Sequence, residues 1–274
     1  MAQPQYRPAL DAHEAVEAQA VQMRREGRHI APVRWRGEAA WLKLAVPQPP
    51  AWRYQLLAGA AKALGQPAIQ PVRPHGGNVG LRIEARRIRA LGVAQLRAPT
   101  ILDEADDWLL LSDLGQLTLE SLIRRTHADE RIQWWQRGAD YILQAHRAGQ
   151  YLSQAFARNF VWSDEAGLGA IDFEDDALSA MSLANAQVRD WLPYLFSSAL
   201  YFEDRLPELC AALGERIQQE PPAVRSGLAT ALRRTAWLRA ARWLPTRMQR
   251  TDVRKTRCFG DFARLYAQTH RESR

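Results

Sequence analysis

Through the first 115 residues short apolar runs are broken by polar positions every few residues, a pattern that predicts strands more than long helices. The opening stretch DAHEAVEAQAVQMRREG (11–27) is different: its composition favours helix, and Gly27 supplies a stop. HIAPVRW and AAWLKLAV, joined around Arg36, Gly37 and Glu38, read as a β-hairpin. Residues 47–77 are bracketed by prolines and read as an insertion holding one short helical piece. LRIEARRIRALGV (81–93) puts Leu81, Ile83, Ile88 and Leu91 at roughly helical spacing, and RAPTIL and DWLLLSDLG then read as two strands.

After Gly115 the pattern turns helical, first in TLESLIRR and then in the long amphipathic segment ERIQWWQRGADYILQAHRAG. NFVW and GAIDF, separated by a turn rich in Ser, Asp and Gly, read as a second small hairpin. Everything beyond about residue 178 reads as helix punctuated by Pro207, Pro221, Pro222 and Pro245. Strands gather in the first part and helices in the second, which predicts an α+β protein rather than alternating βαβ units.

Composition narrows the class. With 274 residues, 47% of them hydrophobic, and ten Trp, the chain can bury a substantial core and is not disordered. No window reaches the roughly 18–20 apolar residues of a spanning helix. The N-terminal MAQPQYRPALDAHEAVEAQ has acidic residues and no apolar stretch, so secretion is not predicted and a cytoplasmic chain is expected. Cys210 and Cys258 suit neither a disulfide framework nor a zinc clip.

The net charge of +7 is local: from residue 231 onward there are twelve Lys or Arg against three Asp or Glu, leaving 25 against 27 before it. ALRRTAWLRAARWLPTRMQRTDVRKTRCF (231–259) interleaves Arg with Leu and Trp, and Leu232, Leu238, Ala241 and Leu244 can share an apolar side. Such a segment is either a peripheral contact with the inner face of a membrane or a final packed helix with a solvated Arg rim. The interleaved Arg and Trp also fit RNA or single-stranded DNA, a less favoured reading because no recognition module is visible.

Candidate chemistry starts from lysine. The chain uses Arg thirty-four times and Lys three times, at Lys43, Lys62 and Lys255. Lys43 lies in the apolar strand WLKLAV, where a compact ammonium suits point-charge contact with phosphate. Glu84 is the single acidic residue between Glu38 and Asp103. Asn159 and Asp172 bracket the second hairpin and offer an amide oxygen and a carboxylate, hard ligands suited to Mg2+.

In this order the four residues resemble the protein-kinase-like superfamily: a strand lysine, a helix glutamate, a catalytic loop ending in Asn and a metal-binding aspartate. Asp113 to Gly115 in DWLLLSDLG look like the hinge crossing between lobes, and HRAGQYLSQAFARNFVW looks like the catalytic loop. IDFEDD looks like the metal loop in a DFE form, and RDWLPYL (189–195) looks like the helix whose Asp190 would brace the catalytic loop. The resemblance covers residues 31–195 and is nearest in appearance to bacterial lipopolysaccharide-core and related sugar kinases. It implies a bilobal fold, with residues 1–112 as the smaller lobe and 113–274 as the helical one. It also implies Mg2+- and ATP-dependent phosphoryl transfer to a hydroxyl of a lipopolysaccharide-core sugar or a protein side chain. Lys43 would meet the nucleotide phosphates, Glu84 would hold Lys43, Asp113 would lie at the nucleotide, and Asn159 and Asp172 would take Mg2+.

The resemblance breaks where the general base belongs. Five positions before Asn159 stands Gln154 rather than Asp, and Leu152 and Ser153 replace the usual HG or HR. Either the protein is a non-catalytic pseudokinase that binds nucleotide or a partner as a scaffold, or transfer proceeds with Gln154 orienting the acceptor hydroxyl. Asp175 and Asp176 could substitute as base, or form a solvated acidic loop. A GxGxxG sequence is absent, which leaves the turn at Gly37 to supply backbone NH groups to phosphate. His127 and His146 are assigned no catalytic role, His146 being expected to pack or cap the long helix.

Overall fold

The computed structural model describes residues 12–48, 68, 72, 75–243 and 251–269. The helical piece expected within 47–77, together with Lys62, Leu244 and Pro245, lies outside the described residues.

The first elements are α1 (Ala12–Arg25), β1 (Ile30–Trp35), β2 (Glu38–Leu44), α2 (Gly77–Val93), β3 (Ile101–Ala105) and β4 (Trp108–Ser112). The strands form one antiparallel sheet in the order β1-β2-β4-β3. Arg36 (φ 51°) and Gly37 (φ 88°) are both left-handed, which makes the two-residue hairpin turn whose twist matches that of the flanking strands. Strand alternation sends the residues of β2 into two interiors. Ala40, Leu42 and Leu44 join Trp108 and Leu110 of β4 in a small core under Val16, Ala20 and Met23 of α1. Trp41 and Lys43 lie on the other face, where Leu109 and Leu111 of β4 join a larger core with Leu81, Ala85, Ile88 and Leu91 of α2.

The strand expected over RAPTIL begins only at Ile101. Arg97 is diverted to the junction with the helical part: its guanidinium donates to the carbonyls of Leu114 (2.7 Å) and Gly167 (3.0 Å). Its own carbonyl accepts from the Ala170 amide (3.0 Å) and the Tyr141 hydroxyl (2.8 Å), so this backbone is spent on cross-links rather than a ladder.

Beyond Ser112 come β5 (Leu117–Thr118), α3 (Leu119–Arg125), α4 (Ala128–Arg147), β6 (Phe160–Ser163) and β7 (Gly167–Ala170). They are followed by α5 (Leu183–Ser198), α6 (Leu206–Ile217), α7 (Pro222–Thr235), a 3₁₀ helix (Ala236–Trp243) and α8 (Thr251–Thr269). The two-residue β5, not foreseen from the sequence, adds a third strand to the β6–β7 hairpin. Pro207 and Pro222 occupy first-turn positions, where a missing NH costs nothing. The architecture is α+β with two small antiparallel sheets, and the larger core runs from α2 into the helices around Trp135, Trp191, Tyr194 and Phe262.

The basic segment is not one helix: it is divided among α7, the 3₁₀ helix and α8. Leu232 is buried and Leu238 packs on the core, while Lys255 pairs with Glu120 (2.8 Å) and Arg254 and Arg257 pair with Glu203. Cys210 and Cys258 are buried free thiols. Among the described residues, no helix is long and apolar enough to cross a membrane.

Candidate active site

Glu84 falls on the stripe Leu81, Glu84, Ile88, Leu91, the face that α2 turns into the core. A carboxylate at such a position needs a cation, and β2 provides it: Lys43 Nζ lies 2.7 Å from Glu84 Oε2. The same ammonium is 3.4 Å from Asp172 Oδ1 and 3.7 Å from Glu174 Oε2. Burial disfavours the Lys43 charge, but Glu84, then Asp172 and Glu174, outweigh it and hold the pKa above the ordinary lysine value. Burial pushes the Glu84 carboxyl up, against the pull of Lys43.

Asp172 lies two residues beyond the end of β7, with φ 73°, a conformation that costs a non-glycine residue about 1 kcal/mol or more. This turn ends the ladder at Ala170, so the strand expected to run through Asp172 and Phe173 stops short of them. The Ile171 amide donates to the Asn159 carbonyl (2.9 Å), and Asn159 Nδ2 donates to the Gln154 carbonyl (2.9 Å) and to Asp172 Oδ2 (3.4 Å). These bonds leave the Asn159 amide oxygen as the group it can offer a cation.

Gln154 Nε2 donates to Glu174 Oε1 at 3.4 Å. Glu174 is thus the carboxylate beside the position where the resemblance expects a base, and the sequence reading missed it. Its signal was present in the third position of the DFE triplet. The two residues weighed in its place are engaged elsewhere. Asp175 is buried against Arg189 (3.5 Å), and burial, opposed by Arg189, raises its carboxyl to about 6. Asp176 pairs with Arg86 at 3.1 Å.

Beneath the loop, Asp190 accepts from the backbone amides of Leu152 (2.7 Å) and Ser153 (2.8 Å). Ser153 has φ 74°, and its hydroxyl donates to the Asp175 carbonyl (2.9 Å), so its left-handed backbone is held from two sides. His146 lies 3.2 Å from Asp190 Oδ2 and 2.6 Å from Glu220 Oε1, and Trp191 also donates to Glu220 (2.8 Å). Burial works against charge on His146, but Asp190 and Glu220 outweigh it and raise the imidazole to about 8. His127 only precedes α4 and makes no side-chain capping bond.

Lys43, Glu84, Asn159 and Asp172 all border a cavity of about 510 Å³ between the four-stranded sheet and the β6–β7 hairpin. Ile30, Trp41 and Leu111 give it an apolar side, and residues 112–116 form its edge. Asp113 is at that edge, but its carboxylate is occupied: it accepts from the Trp41 indole (3.1 Å), the Gly115 amide (3.1 Å) and the Gln116 side chain (2.7 Å). These bonds make it a brace for the crossing segment. The turn at Gly37 is not over the site. Trp35 pairs with Glu38 there, whereas Lys43 pairs with Ile30 at the other end of the hairpin, about 20 Å away at the strand rise. No protein-family model and no curated protein matches this sequence.

Proposed function

We propose that this cavity binds Mg-ATP and that the protein transfers the γ-phosphoryl group to an acceptor hydroxyl. The parts of the chain before and after residue 113 would then act as the two lobes of a protein-kinase-like fold. One observation carries the reading: a lysine, its buried glutamate partner, an amide and a carboxylate from distant parts of the chain meet at one side of a cavity large enough for a nucleotide. The base would lie on the apolar side near Ile30 and Leu111, and the phosphates would meet Lys43, which Glu84 keeps in place.

Among the described residues no group of three or more His, Cys, Asp or Glu could hold a metal on its own. Asn159 and Asp172 nevertheless fit Mg2+, which takes one or two carboxylates and completes its shell with phosphate and water oxygens. Bound there, Mg2+ would neutralise phosphate charge. The acceptor oxygen forms a bond to the γ-phosphorus as the bond to the bridging oxygen of ADP breaks. The hydroxyl proton passes to Glu174, which the Gln154 amide orients. The acceptor implied by the resemblance is a sugar hydroxyl of the lipopolysaccharide-core type, or a protein side chain.

Gln154 at the base position favours a second reading, a nucleotide-binding scaffold without transfer. Thermal unfolding with and without Mg-ATP tests both. Stabilisation is expected for the wild type and is lost in Lys43→Ala and Asp172→Asn, and a flat wild-type response would rule out both readings. Release or transfer of labelled γ-phosphate selects the kinase, and binding with neither selects the scaffold.

A further inference from the structure

The 3₁₀ helix Ala236–Trp243 holds two large indoles in solvent: Trp237 is 59% exposed and Trp243 82%. Three residues make one 3₁₀ turn, so Trp237, Ala240 and Trp243 line a single edge, with the two tryptophans about 12 Å apart along it. All three are exposed. Indoles normally bury most of their surface. The edge is not a loose strand of chain, because Leu238 packs against the main core. Gly260 of α8 passes so close beneath that a Cβ there would clash with the Arg239 amide nitrogen. The backbone of the segment is thus held against α8 while both indoles stand in solvent.

The charge within this stretch of sequence has one sign. Residues 231–243 contain Arg233, Arg234, Arg239 and Arg242 and no Asp or Glu, and Arg233 is exposed. The next seven positions add Arg247 and Arg250, whereas the chain before residue 231 is nearly neutral.

We propose that the Trp237–Trp243 edge docks on the surface of an anionic phospholipid bilayer. An indole has an apolar body and one polar NH, and it favours the headgroup boundary. Arginines beside it draw the protein to anionic lipid. A projecting edge suits a plane, whereas single-stranded nucleic acid is usually held in a basic groove that tracks its backbone. Attachment through an edge of this kind lies at the headgroup boundary and weakens as salt screens it. The inference does not depend on the phosphotransferase reading.

Flotation of the full-length protein with vesicles tests it, using phosphatidylcholine alone and phosphatidylcholine with about 30 mol% phosphatidylglycerol, at low and at about 0.5 M salt. The wild type is expected to float with the anionic vesicles at low salt only. Trp237→Ala/Trp243→Ala should lower the bound fraction about tenfold with an unchanged melting temperature, because both side chains are exposed. Arg233→Gln/Arg239→Gln should weaken binding and flatten its salt dependence. The proposal is overturned if the wild type does not float, if the double Trp variant floats equally well, or if a single-stranded oligonucleotide binds more tightly than the vesicles in a Trp-dependent manner.

Discussion

The Glu84 carboxylate lies 2.7 Å from the Lys43 ammonium, and the two side chains are 3% and 14% exposed. At that depth each charge is tolerated because of the other, and removing one partner of a buried pair typically costs about 3–5 kcal/mol. Lys43→Met should therefore destabilise the protein by about 3 kcal/mol in urea unfolding, with Asp172 and Glu174 left as uncompensated neighbours. Adding Glu84→Leu should restore most of the loss, because two apolar side chains can replace a buried pair with little net change. A double variant as unstable as the sum of its parents would show that the pair is not energetically coupled.

Stability should also fall with rising pH through the His146 network. The folded-state pKa is about 8, above the ordinary 6.5, so the folded protein holds this proton more tightly than the unfolded chain does. The contribution is fully present below pH 6.5 and disappears as pH rises through 8. A shift of this size corresponds to about 2 kcal/mol. Urea unfolding between pH 6 and 9 should reveal that decline, and His146→Gln should remove it. A wild-type profile that stays level over the window would contradict the cationic assignment.

Gln154→Asp reports on the base. With Glu174 3.4 Å from the present amide, the substitution sets two carboxylates side by side and lifts the pKa of one of them. If Glu174 already takes the proton, ATP hydrolysis should rise by no more than about tenfold, with the acidic limb of its pH profile moved upward. Glu174→Gln should lower hydrolysis by about 10² or more while Mg-ATP still stabilises the fold. Unchanged hydrolysis in Glu174→Gln would remove Glu174 from the chemistry.

The strands and helices around the site were legible because their signals are local. The Arg36–Gly37 turn, the apolar stripe of α2 and the periodicity of α4 each follow from a few neighbouring residues. Lys43 and Glu84 stood out because each is a rare residue type in its stretch of sequence. What the sequence hid is what depends on three dimensions. Periodicity does not reveal that Asp172 turns left-handed and halts β7, or that Arg97 leaves its strand to join the two sheets. Nor could composition tell which acidic residue of EDD approaches Lys43 and Gln154: Asp175 and Asp176 find arginine partners, and Glu174 stands 3.7 Å from the Lys43 ammonium and 3.4 Å from the Gln154 amide.

The alternation of β2 makes register a chemical matter as well as a structural one. Slipping that central strand by a single position would drive the Lys43 ammonium into the aliphatic layer beneath α1 and leave Glu84 without its counterion. An insertion inside β2 should therefore be forbidden on two independent grounds, whereas one at the Arg36–Gly37 turn lengthens a loop at the remote tip. Natural variation in length in this hairpin is accordingly expected to collect at its tip.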